Sequence, residues 1–274
     1  MRAALPLFLA LAATPAPAQD WHECLIAPRA TVRVASAVSG VVDEVLVAPG
    51  DYVEEGQVLA RLRSAVERAN ADIAAERAAY EAGLELGEVR LDLARRNLAR
   101  LSELSRSNIA SRAALEEAEA EARSAEIELD RAEFERRLAE LEQARAAAIL
   151  DQRVVRAPIS GVVVERLLWP GEVAGDQAQV VTLAQLDPLE VRTFVPSSLW
   201  GSIAPGQEAR VRPDAPVGGE RAATVVSVDQ VFDAASGTMG VRLQLPNPDQ
   251  GLPAGLACRV AFDGAAPNEE GQDQ

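Results

Sequence analysis

The sequence contains no lysine: all 27 of its basic residues are arginine. It also has only one histidine, His22, and only two methionines among its 274 residues. This scarcity of imidazole and thioether groups disfavours a histidine-rich metal site and a Ser-His-Asp hydrolase. The formal net charge of −15 at pH 7 is the opposite of the basic footprint of nucleic-acid-binding proteins, so we predict no nucleic-acid partner.

Long apolar runs are also missing beyond the first residues of the chain. Residues 1–18 combine one positive charge at Arg2 with the short apolar run "ALPLFLALAA" and end in small residues near Ala18, which is the pattern of a secretory signal peptide. The run is shorter than the roughly 20 apolar residues that span a bilayer. Cys24 follows "WHE" rather than the small and apolar residues of a lipoprotein signal. We therefore expect an exported, soluble mature chain.

The composition of the rest of the chain changes twice, and with it the predicted secondary structure. Valine-rich segments with "SG" and "PGD" turns come first and predict short strands. A stretch with no proline and only two glycines follows and predicts long helix, and after it a composition that predicts strands returns. These changes predict a signal peptide over 1–18, an N-terminal strand segment over 19–30, a first β half over 31–62, a helical hairpin over 63–152, a second β half over 153–186, a further all-β domain over 187–263 and a disordered tail over 264–274.

The helical stretch needs one reversal, and "SRSNIAS" at residues 105–111 is the best candidate for it. Ser111 can cap a second helix by accepting from its free amides, and Asn108 tolerates turn geometry. Two arms joined by a short turn should pack antiparallel, each burying the apolar stripe of the other. The predicted stripes are Val66, Ile73, Tyr80, Leu84, Leu91, Leu98 and Leu101 in the first arm, Leu115, Ala118, Ala122, Ala125, Leu129 and Ala132 in the second, and, after a phase slip, Ile127, Phe134, Leu141 and Ala148.

Two glycines, Gly83 and Gly87, interrupt the first arm. Each costs about 1 kcal/mol relative to alanine inside a helix. They lie four residues apart and so share a helix face, which favours a close approach of the second arm. A flex point in the first arm is the alternative.

A short repeat flanks the helical stretch. "SGVVDEVLVAPG" at residues 39–50 and "SGVVVERLLWPG" at residues 160–171 are identical at eight of twelve positions. Neither surrounding segment has enough strands to bury a core alone. Together they can form one pseudo-symmetric β-sandwich, from which the helical hairpin projects as an insertion.

Each half resembles half of a biotinyl/lipoyl domain, and "GDYVEEGQVLARL" at residues 50–62 is similar to the sequence usual at this point in that family. In its carrier proteins, a lysine in the hairpin between the halves holds the cofactor. Here the helical stretch takes that position and the chain has no lysine, so amide-linked biotin or lipoate is chemically impossible. A cofactor-carrying enzyme subunit is therefore disfavoured, and we predict no cofactor and no enzymatic activity.

A lipoyl-like domain split by a helical hairpin and followed by an all-β domain resembles the periplasmic adaptors, or membrane fusion proteins, of tripartite efflux pumps (the HlyD-like and RND efflux adaptors). "LPNPDQGLPAGL" at residues 245–256 is the most recognisable part of the adaptor barrel. The resemblance implies an elongated, multidomain α+β fold. An antiparallel coiled-coil hairpin would be inserted in a split lipoyl-like β-sandwich, with a small β-barrel after it.

The resemblance also implies a function. The chain would be a periplasmic scaffold that bridges an inner-membrane transporter, of RND or ABC type, to a TolC-like outer-membrane channel, and that couples and seals the export conduit. It would act as a homo-oligomer, hexameric in the assembled pump. The alternatives are an adaptor for ABC-type or type I secretion, which usually keeps an N-terminal transmembrane helix, and a metal-efflux adaptor, against which the scarcity of methionine and histidine argues.

The predicted tip of the hairpin carries a more specific pattern. Adaptors that dock on TolC-like channels have an Arg-x3-Leu-x6-Ser pattern there, and this chain has Arg100, Leu104 and Ser111 at that spacing. Leu104 can enter a groove on a partner helix pair, and Arg100 can donate several hydrogen bonds beside it. Ser111 can cap its own helix or bond across the joint. The plain alternative is a solvated arginine, a seam leucine and a structural cap.

The two cysteines, Cys24 and Cys258, lie near opposite ends of the mature chain. An exported chain meets an oxidising compartment, where they can pair, and two buried free thiols are the alternative. The adaptor family usually builds a fourth domain, next to the inner membrane, from both ends of the chain. So little sequence is left for it here that we expect it to be absent or vestigial. The N-terminal strand would then run along the barrel and bring Cys24 within the roughly 7 Å of Cys258 that a disulfide requires.

Overall fold

A computed structural model of the chain describes residues 20–264. The predicted signal peptide over 1–18 and residues 265–274 of the predicted tail lie outside this range. The described chain divides into two compact units. The barrel unit and the hairpin unit consist, respectively, of residues 20–32, 160–162 and 183–264, and of residues 33–159 and 163–182.

The described residues contain twelve strands and three helices. In chain order, the strands are β1 His22–Ala35, β2 Gly40–Val45, β3 Tyr52–Val53, β4 Val58–Leu62, β5 Val154–Arg156, β6 Gly161–Arg166, β7 Val173–Ala174, β8 Gln179–Pro196, β9 Glu208–Pro213, β10 Arg221–Val228, β11 Thr238–Leu245 and β12 Leu256–Phe262. The helices are α1 Ala65–Ala78, α2 Ala82–Arg106 and α3 Arg112–Asp151. One 3₁₀ turn spans Ser197–Leu199.

The barrel unit is a closed six-stranded β-barrel. Its strands follow the order β1-β12-β9-β10-β11-β8, and a pairing of β1 with β8 closes the ring. Side chains alternate between the barrel core and solvent, as the period of a strand dictates. In β11, for example, Val241, Leu243 and Leu245 are buried, whereas Arg242 and Gln244 are exposed.

The segment "LPNPDQGLPAGL" joins β11 to β12 around a buried asparagine. The side chain of Asn247 donates to the carbonyls of Leu186 and Leu252, both at 3.0 Å, and its Oδ1 accepts from the Leu252 amide at 3.0 Å. The Asn247 amide donates to Asp187 Oδ1 at 2.9 Å. A buried polar side chain is tolerated only when it is bonded in this way, which explains why an asparagine stands between two prolines here.

In the hairpin unit the two sequence repeats exchange equivalent hydrogen bonds. The Gly50 amide donates to the Val163 carbonyl, and the Gly171 amide donates to the Val42 carbonyl, both at 2.8 Å. Gly50 and Gly171 occupy the same position in their repeats, as do Val42 and Val163, so one bond is the counterpart of the other. Both glycines have positive φ, 95° and 91°, which side chains other than glycine rarely adopt.

The sheets of the hairpin unit mix strands from before and after the hairpin. One sheet has the order β5-β4-β2-β7, so β2 and β4 of the first half lie between β5 and β7 of the second. In the other, β6 pairs with β3 and with the start of β8. The two halves therefore form one β unit, as the repeat predicts, and the hairpin leaves it between β4 and β5.

Helices α1 and α2 form the first arm of the hairpin, and α3 forms the second. The arms run antiparallel, because Arg77 pairs with Glu142 at 4.0 Å while Arg90, further along the first arm, pairs with Glu128 at 2.9 Å, earlier in the second. The first arm is not one continuous helix, because it breaks at residues 79–81 between α1 and α2.

The break changes which face of the first arm meets α3. In α1 the partly buried positions are 67, 71, 74, 75 and 78, and an unbroken helix would continue this face to 82, 85 and 89, all of which are exposed. In α2 the residues that face α3 are instead Leu84, Gly87 and Leu91. The three non-helical residues 79–81 therefore change which positions of the first arm face α3, from one set in α1 to a different set in α2.

The predicted apolar seam is correct only in the part of the hairpin nearer the tip. Leu91, Ala122 and Ala125 form a buried cluster there with Ala94, which the predicted stripe did not include, and Leu98 and Leu129 pack against this cluster. Ala118 is also buried. Six other residues assigned to the seam are exposed instead, namely Val66 (69%), Ile73 (54%), Tyr80 (72%), Ile127 (62%), Phe134 (59%) and Leu141 (68%), and all of them except Ile127 lie nearer the base. The exposed Ala148 of the slipped stripe also lies outside the seam.

Alanine explains this difference. The partly buried residues of α1 are mostly alanines, and α3 presents Ala132, Ala139 and Ala146 at partly buried positions. A heptad repeat also drifts by about 20° per heptad around a straight helix, so residues seven apart do not stay on a seam over the whole arm. The base of the hairpin is therefore joined through small side chains, and the large apolar ones point away.

The two glycines of the first arm differ in their surroundings. A Cβ added to Gly87 would lie 3.2 Å from Leu129 Cδ1 and 3.3 Å from Leu129 Cα, so the arms approach closely there. A Cβ added to Gly83 would meet nothing within 4 Å. The close-approach interpretation therefore fits Gly87, whereas Gly83 lies just after the break in the arm.

Candidate functional site

The tip of the hairpin is a tight turn between Arg106, the last residue of α2, and Arg112, the first residue of α3. The Leu104 carbonyl accepts from the Ile109 amide at 2.9 Å and from the Ala110 amide at 3.3 Å. Asn108 adopts a left-handed conformation with φ of 54°, which asparagine tolerates better than most residues. These bonds satisfy a carbonyl that the end of the helix would leave without a partner.

Ser111 caps the second arm, as its sequence position predicts. Its backbone is extended, and its hydroxyl accepts from the Ala114 amide at 3.2 Å. Removal of such a cap typically costs about 1 kcal/mol. The Ser111 hydroxyl therefore has a structural partner already, and its O–H remains able to donate.

Arg100 and Leu104 lie on one face of α2, because they are four residues apart. Arg100 is exposed, and its Nη2 donates to Asn97 Oδ1 at 2.9 Å within the same helix. Leu104 is half-buried. One neutral side-chain bond leaves most of the donors of the guanidinium available, since arginine carries five N–H groups.

Ile109 is a tip residue that the sequence reasoning missed. It is 73% exposed, in contrast to the half-buried Leu104. The signal for it was present, because it is the only large apolar side chain in the polar turn "SRSNIAS". The tip therefore presents an exposed aliphatic group beside an exposed arginine.

The base of the hairpin is held by Arg153, which follows α3. Its guanidinium pairs with Glu67 of α1 at 2.7 Å and donates to the Ser39 carbonyl at 2.9 Å. The side chains of Arg153 and Glu67 are only 21% and 17% exposed. A Cβ added to Gly40 would lie 2.7 Å from Arg153 Nη1, so the glycine of the first "SG" leaves room for the guanidinium. Both arms are thus tied to the first repeat through one side chain.

The two cysteines lie opposite each other in the barrel unit. Cys24 of β1 is the register partner of Cys258 of β12, and their Cα atoms are 4.8 Å apart. The structure has a disulfide between them. Both residues are buried in the barrel core, so the bond joins the N-terminal strand to the last strand.

Charged pairs also lie on the barrel wall. Arg242 pairs with Asp229 at 2.5 Å, and this contact raises the pKa of Arg242. The hydrogen bond from Arg212 lowers the pKa of Glu220. These side chains are solvent-accessible, where ion pairs contribute little to stability. They read as surface pairs of the barrel rather than as a reactive site.

Residues 20–264 lack two further features that could indicate a function. No group of three or more histidine, cysteine, aspartate or glutamate side chains in this range is placed to hold a metal ion. No helix within the same residues combines the length and apolar character that crossing a membrane requires.

A β unit split by a helical hairpin and accompanied by a closed β-barrel defines the class of this protein. The family model of the CzcB-like barrel-sandwich hybrid domain matches residues 30–185, which is more than half of the chain, and that of the CusB-like β-barrel domain matches residues 191–266. The chain therefore belongs to the family of periplasmic adaptors, or membrane fusion proteins, of RND efflux. Members of this family are non-enzymatic linkers that are associated with the inner membrane.

Individual relatives can be named. The chain is 26% identical over 235 residues to the cobalt-zinc-cadmium resistance protein CzcB of Cupriavidus metallidurans, covering 86% of this chain and 43% of CzcB. It is also 26% identical over 236 residues to the multidrug resistance protein MdtA of Shigella boydii, covering 81% of this chain and 52% of MdtA. It thus spans about half the length of these curated relatives.

Among solved structures, MacA from Actinobacillus actinomycetemcomitans is similar in fold, with a TM-score of 0.71 at 21% identity over 89% of this chain and 78% of MacA. The membrane fusion protein Spr0693 from Streptococcus pneumoniae has a TM-score of 0.60 at 17% identity over 90% of this chain and all of Spr0693. At these identities the likeness supports the architecture and nothing finer.

Proposed function

We propose that the chain is the adaptor subunit of a tripartite efflux pump. It links an inner-membrane transporter of the RND class to a TolC-like outer-membrane channel in the periplasm, and it couples and seals the conduit between them. The observation that carries the proposal is the helical hairpin inserted between two β halves that bond reciprocally, in a chain that matches two adaptor domains. RND is favoured over ABC because the matching β-barrel family is named for RND pumps.

The hairpin gives the adaptor its reach. Helix α3 has 40 residues, which corresponds to about 60 Å at 1.5 Å per residue. The hairpin therefore serves as a spacer that carries its tip far from the β unit at its base. The role of the protein is mechanical: it positions two partners and does not transform a substrate.

The base of the hairpin supports that mechanical role. Arg153 ties α1, the end of α3 and the first repeat together through a half-buried ion pair and a backbone hydrogen bond. A movement of the β unit is thereby passed to both arms rather than absorbed in a loose joint. We assign Arg153 and Glu67 to this coupling.

The tip supports contact with the channel. Arg100 has free donors for carbonyls or carboxylates of a partner helix pair, and Leu104 and Ile109 supply apolar contacts beside it. Ser111 holds the geometry of the turn through its cap. We propose that the working adaptor is a homo-oligomer, hexameric in the pump, so each channel receives several copies of this tip.

The double variant Arg100→Asp with Leu104→Asp tests the assignment of the tip. Both side chains lie at the end of α2, so the helices should still form, and circular dichroism should be unchanged. We expect crosslinking of the adaptor to the outer-membrane channel to be abolished in cells, and sensitivity to exported compounds to rise to that of a deletion strain.

A matched control is available on the same helix. Arg95→Asp with Ala99→Asp changes the charge equally and has the same spacing, but it lies on a different face of α2. It also removes the exposed ion pair of Arg95 with Glu126 of α3, so circular dichroism must show that this variant is folded before it serves as the control. This control should retain channel crosslinking and efflux. Normal efflux in the tip variant would refute the role of the tip. Co-purification of an ATPase-permease instead of an RND transporter would refute the choice of partner.

A further inference from the structure

Two loops meet at one end of the β-barrel. One spans residues 197–207, between β8 and β9, and the other spans residues 229–237, between β10 and β11. Because the last residue of β8 is the register partner of the first residue of β11, both loops leave the barrel at the same end. The Ser197 amide donates to the Gly237 carbonyl at 2.9 Å, which joins the loops where they begin and end. We call these two loops the loop end of the barrel.

The loop end exposes large apolar side chains. Trp200 and Phe232, one from each loop, meet edge to face with ring centroids 5.2 Å apart, and each remains 42% exposed. Val231, next to Phe232, is 85% exposed, the highest value of any large apolar side chain in residues 20–264. Exposed apolar side chains that lie together mark interaction sites better than single ones do. We call Trp200, Val231 and Phe232 the apolar cluster.

The first loop is built so that Trp200 stays outside the barrel. Its neighbours Leu199 and Ile203 are only 7% and 4% exposed and belong to the barrel core. They anchor the loop on both sides of Trp200, so the position of the indole does not depend on a free loop. The loop can therefore present the ring to another phase without first being ordered.

The backbone of the first loop is bonded within the loop itself. The Trp200 amide donates to the Ser197 carbonyl at 3.0 Å. The Ser202 amide and hydroxyl both donate to the Leu199 carbonyl, at 3.1 and 2.8 Å. Groups that are bonded in this way lose little when water is removed from them, whereas unbonded ones cost several kcal/mol in an apolar phase.

The loop end also presents little uncompensated charge. Residues 197–207 contain no charged residue, in a chain of which 25% is charged. In the second loop, Asp229 pairs with Arg242 at 2.5 Å. The Asp233 carboxylate accepts from the Ala235 amide at 2.9 Å, which lowers its pKa and holds its charge within the turn. The two loops therefore combine exposed apolar groups with polar groups that already have partners.

We propose that the loop end binds the surface of a phospholipid bilayer directly, with the apolar cluster inserted at the level of the headgroups. Tryptophan and other aromatic rings prefer this layer, because it is apolar on one side and wet on the other. The family of the chain is associated with the inner membrane, which places a bilayer within its surroundings. The inference goes beyond the proposed function, because it requires neither the transporter nor the channel.

The net charge predicts which lipids the loop end prefers. At −15 the chain is repelled by anionic headgroups, so attraction to an acidic membrane cannot drive the contact. Insertion of apolar side chains is left as the driving force, and it does not depend on salt. Binding should therefore be strongest on zwitterionic vesicles. With only three inserted side chains it should be weak and reversible, and a second contact of the same chain would strengthen it.

Flotation with protein-free phosphatidylcholine vesicles tests the proposal in the full-length exported protein. The wild-type chain should float with the vesicles, and added phosphatidylglycerol should weaken binding at low ionic strength. Val231→Asp should lower the bound-to-free ratio about tenfold, because it removes the burial of one valine side chain. Val231 is so exposed that its replacement should leave the fold intact. Val226→Asp is the matched control, since Val226 is 56% exposed on the barrel wall, in β10, and this variant should float like the wild type.

Tryptophan fluorescence tests where the contact lies. Vesicles should shift the emission of the wild-type protein to shorter wavelength, as an indole leaves water. Trp200→Phe keeps an aromatic ring and should still float, but it should lose this shift. Persistence of the full shift in Trp200→Phe would place the contact elsewhere and overturn the proposal.

The remaining outcomes separate a lipid contact from a protein contact. Absence of wild-type flotation, flotation of Val231→Asp at the wild-type level, or equal losses in Val231→Asp and Val226→Asp would overturn the proposal. Binding only to vesicles that contain a reconstituted transporter would also overturn it and would assign the loop end to a protein partner. The tip variant Arg100→Asp with Leu104→Asp should still float, and Val231→Asp should still crosslink to the channel, so failure of the proposed function and failure of this contact are distinguishable.

Discussion

Replacement of Arg153 by alanine tests whether the hairpin is anchored as the structure indicates. The substitution removes the ion pair with Glu67 at 2.7 Å and the hydrogen bond to the Ser39 carbonyl at 2.9 Å. It leaves the carboxylate of Glu67, only 17% exposed, without its cationic partner. The first turn of α1 should therefore open more often, while the rest of the hairpin keeps its seam.

The magnitude follows from the partial burial of the pair. Loss of one partner of a fully buried ion pair costs about 3–5 kcal/mol, and hydrogen bonds to charged groups contribute about 1.5–3 kcal/mol. Because Arg153 is 21% exposed, some of the lost interaction is replaced by water, and we expect about 2 kcal/mol. That corresponds to roughly 30-fold faster opening of the segment.

Hydrogen exchange of the amides early in α1 is the appropriate assay, because it measures local opening in a protein of two units. Arg137→Ala is the matched control, since its pair with Glu133 has side chains 57% and 46% exposed and should contribute at most about 0.5 kcal/mol. Gly40→Ala should partly mimic Arg153→Ala, because the added Cβ displaces the guanidinium. Equal exchange rates in Arg153→Ala and Arg137→Ala would refute the reasoning.

Three further predictions concern the hairpin glycines, the disulfide and His22. Gly83→Ala should raise the melting temperature of the hairpin, with a gain of up to about 1 kcal/mol in stability, whereas Gly87→Ala should stabilise the hairpin less or destabilise it, because its Cβ meets Leu129. Equal increases in melting temperature for both variants, measured by circular dichroism, would contradict the close approach of the arms at Gly87. Mass spectrometry of a non-reduced digest should find the peptides of Cys24 and Cys258 joined, and finding both as free thiols in protein purified from the periplasm would contradict the pairing. Burial lowers the pKa of His22, so on acidification the unfolded chain binds a proton at a higher pH than the folded chain does, and the stability of the barrel should fall as pH drops below about 6.5. In urea titrations at several pH values, His22→Gln should flatten this dependence of stability on pH. An unchanged dependence would contradict the burial of His22.

The sequence predicted those parts of the fold that depend on local chemistry. The reciprocal bonds of Gly50 and Gly171 follow from a repeat that places a flexible glycine at the same point in both halves. The hairpin turn was predictable because Ser111 and Asn108 have side chains suited to a cap and to a left-handed residue. In both cases a few neighbouring residues determine the geometry.

Other features depend on packing that periodicity does not encode. The break at residues 79–81 falls in "AYE", which contains no helix breaker, and it coincides with a change in the helix face that meets α3. A heptad of apolar residues likewise predicts a buried face but not what buries it. The pattern therefore places Val66 and Phe134 in the seam, whereas both are exposed in the structure. At the tip, the family pattern predicts a partner contact for Leu104 and does not include Ile109, which is the more exposed of the two.

The proposed function requires one chain to bind an inner-membrane transporter and also, through the tip of its hairpin, an outer-membrane channel. Affinity purification of the full-length adaptor from chemically crosslinked cells tests this most directly, with the wild-type chain and Arg100→Asp with Leu104→Asp compared side by side. The wild-type chain should capture both an RND transporter and an outer-membrane channel, and the tip variant should retain the transporter and lose the channel. Capture of only one partner by the wild-type chain, or of both at equal yield by the tip variant, would contradict the account.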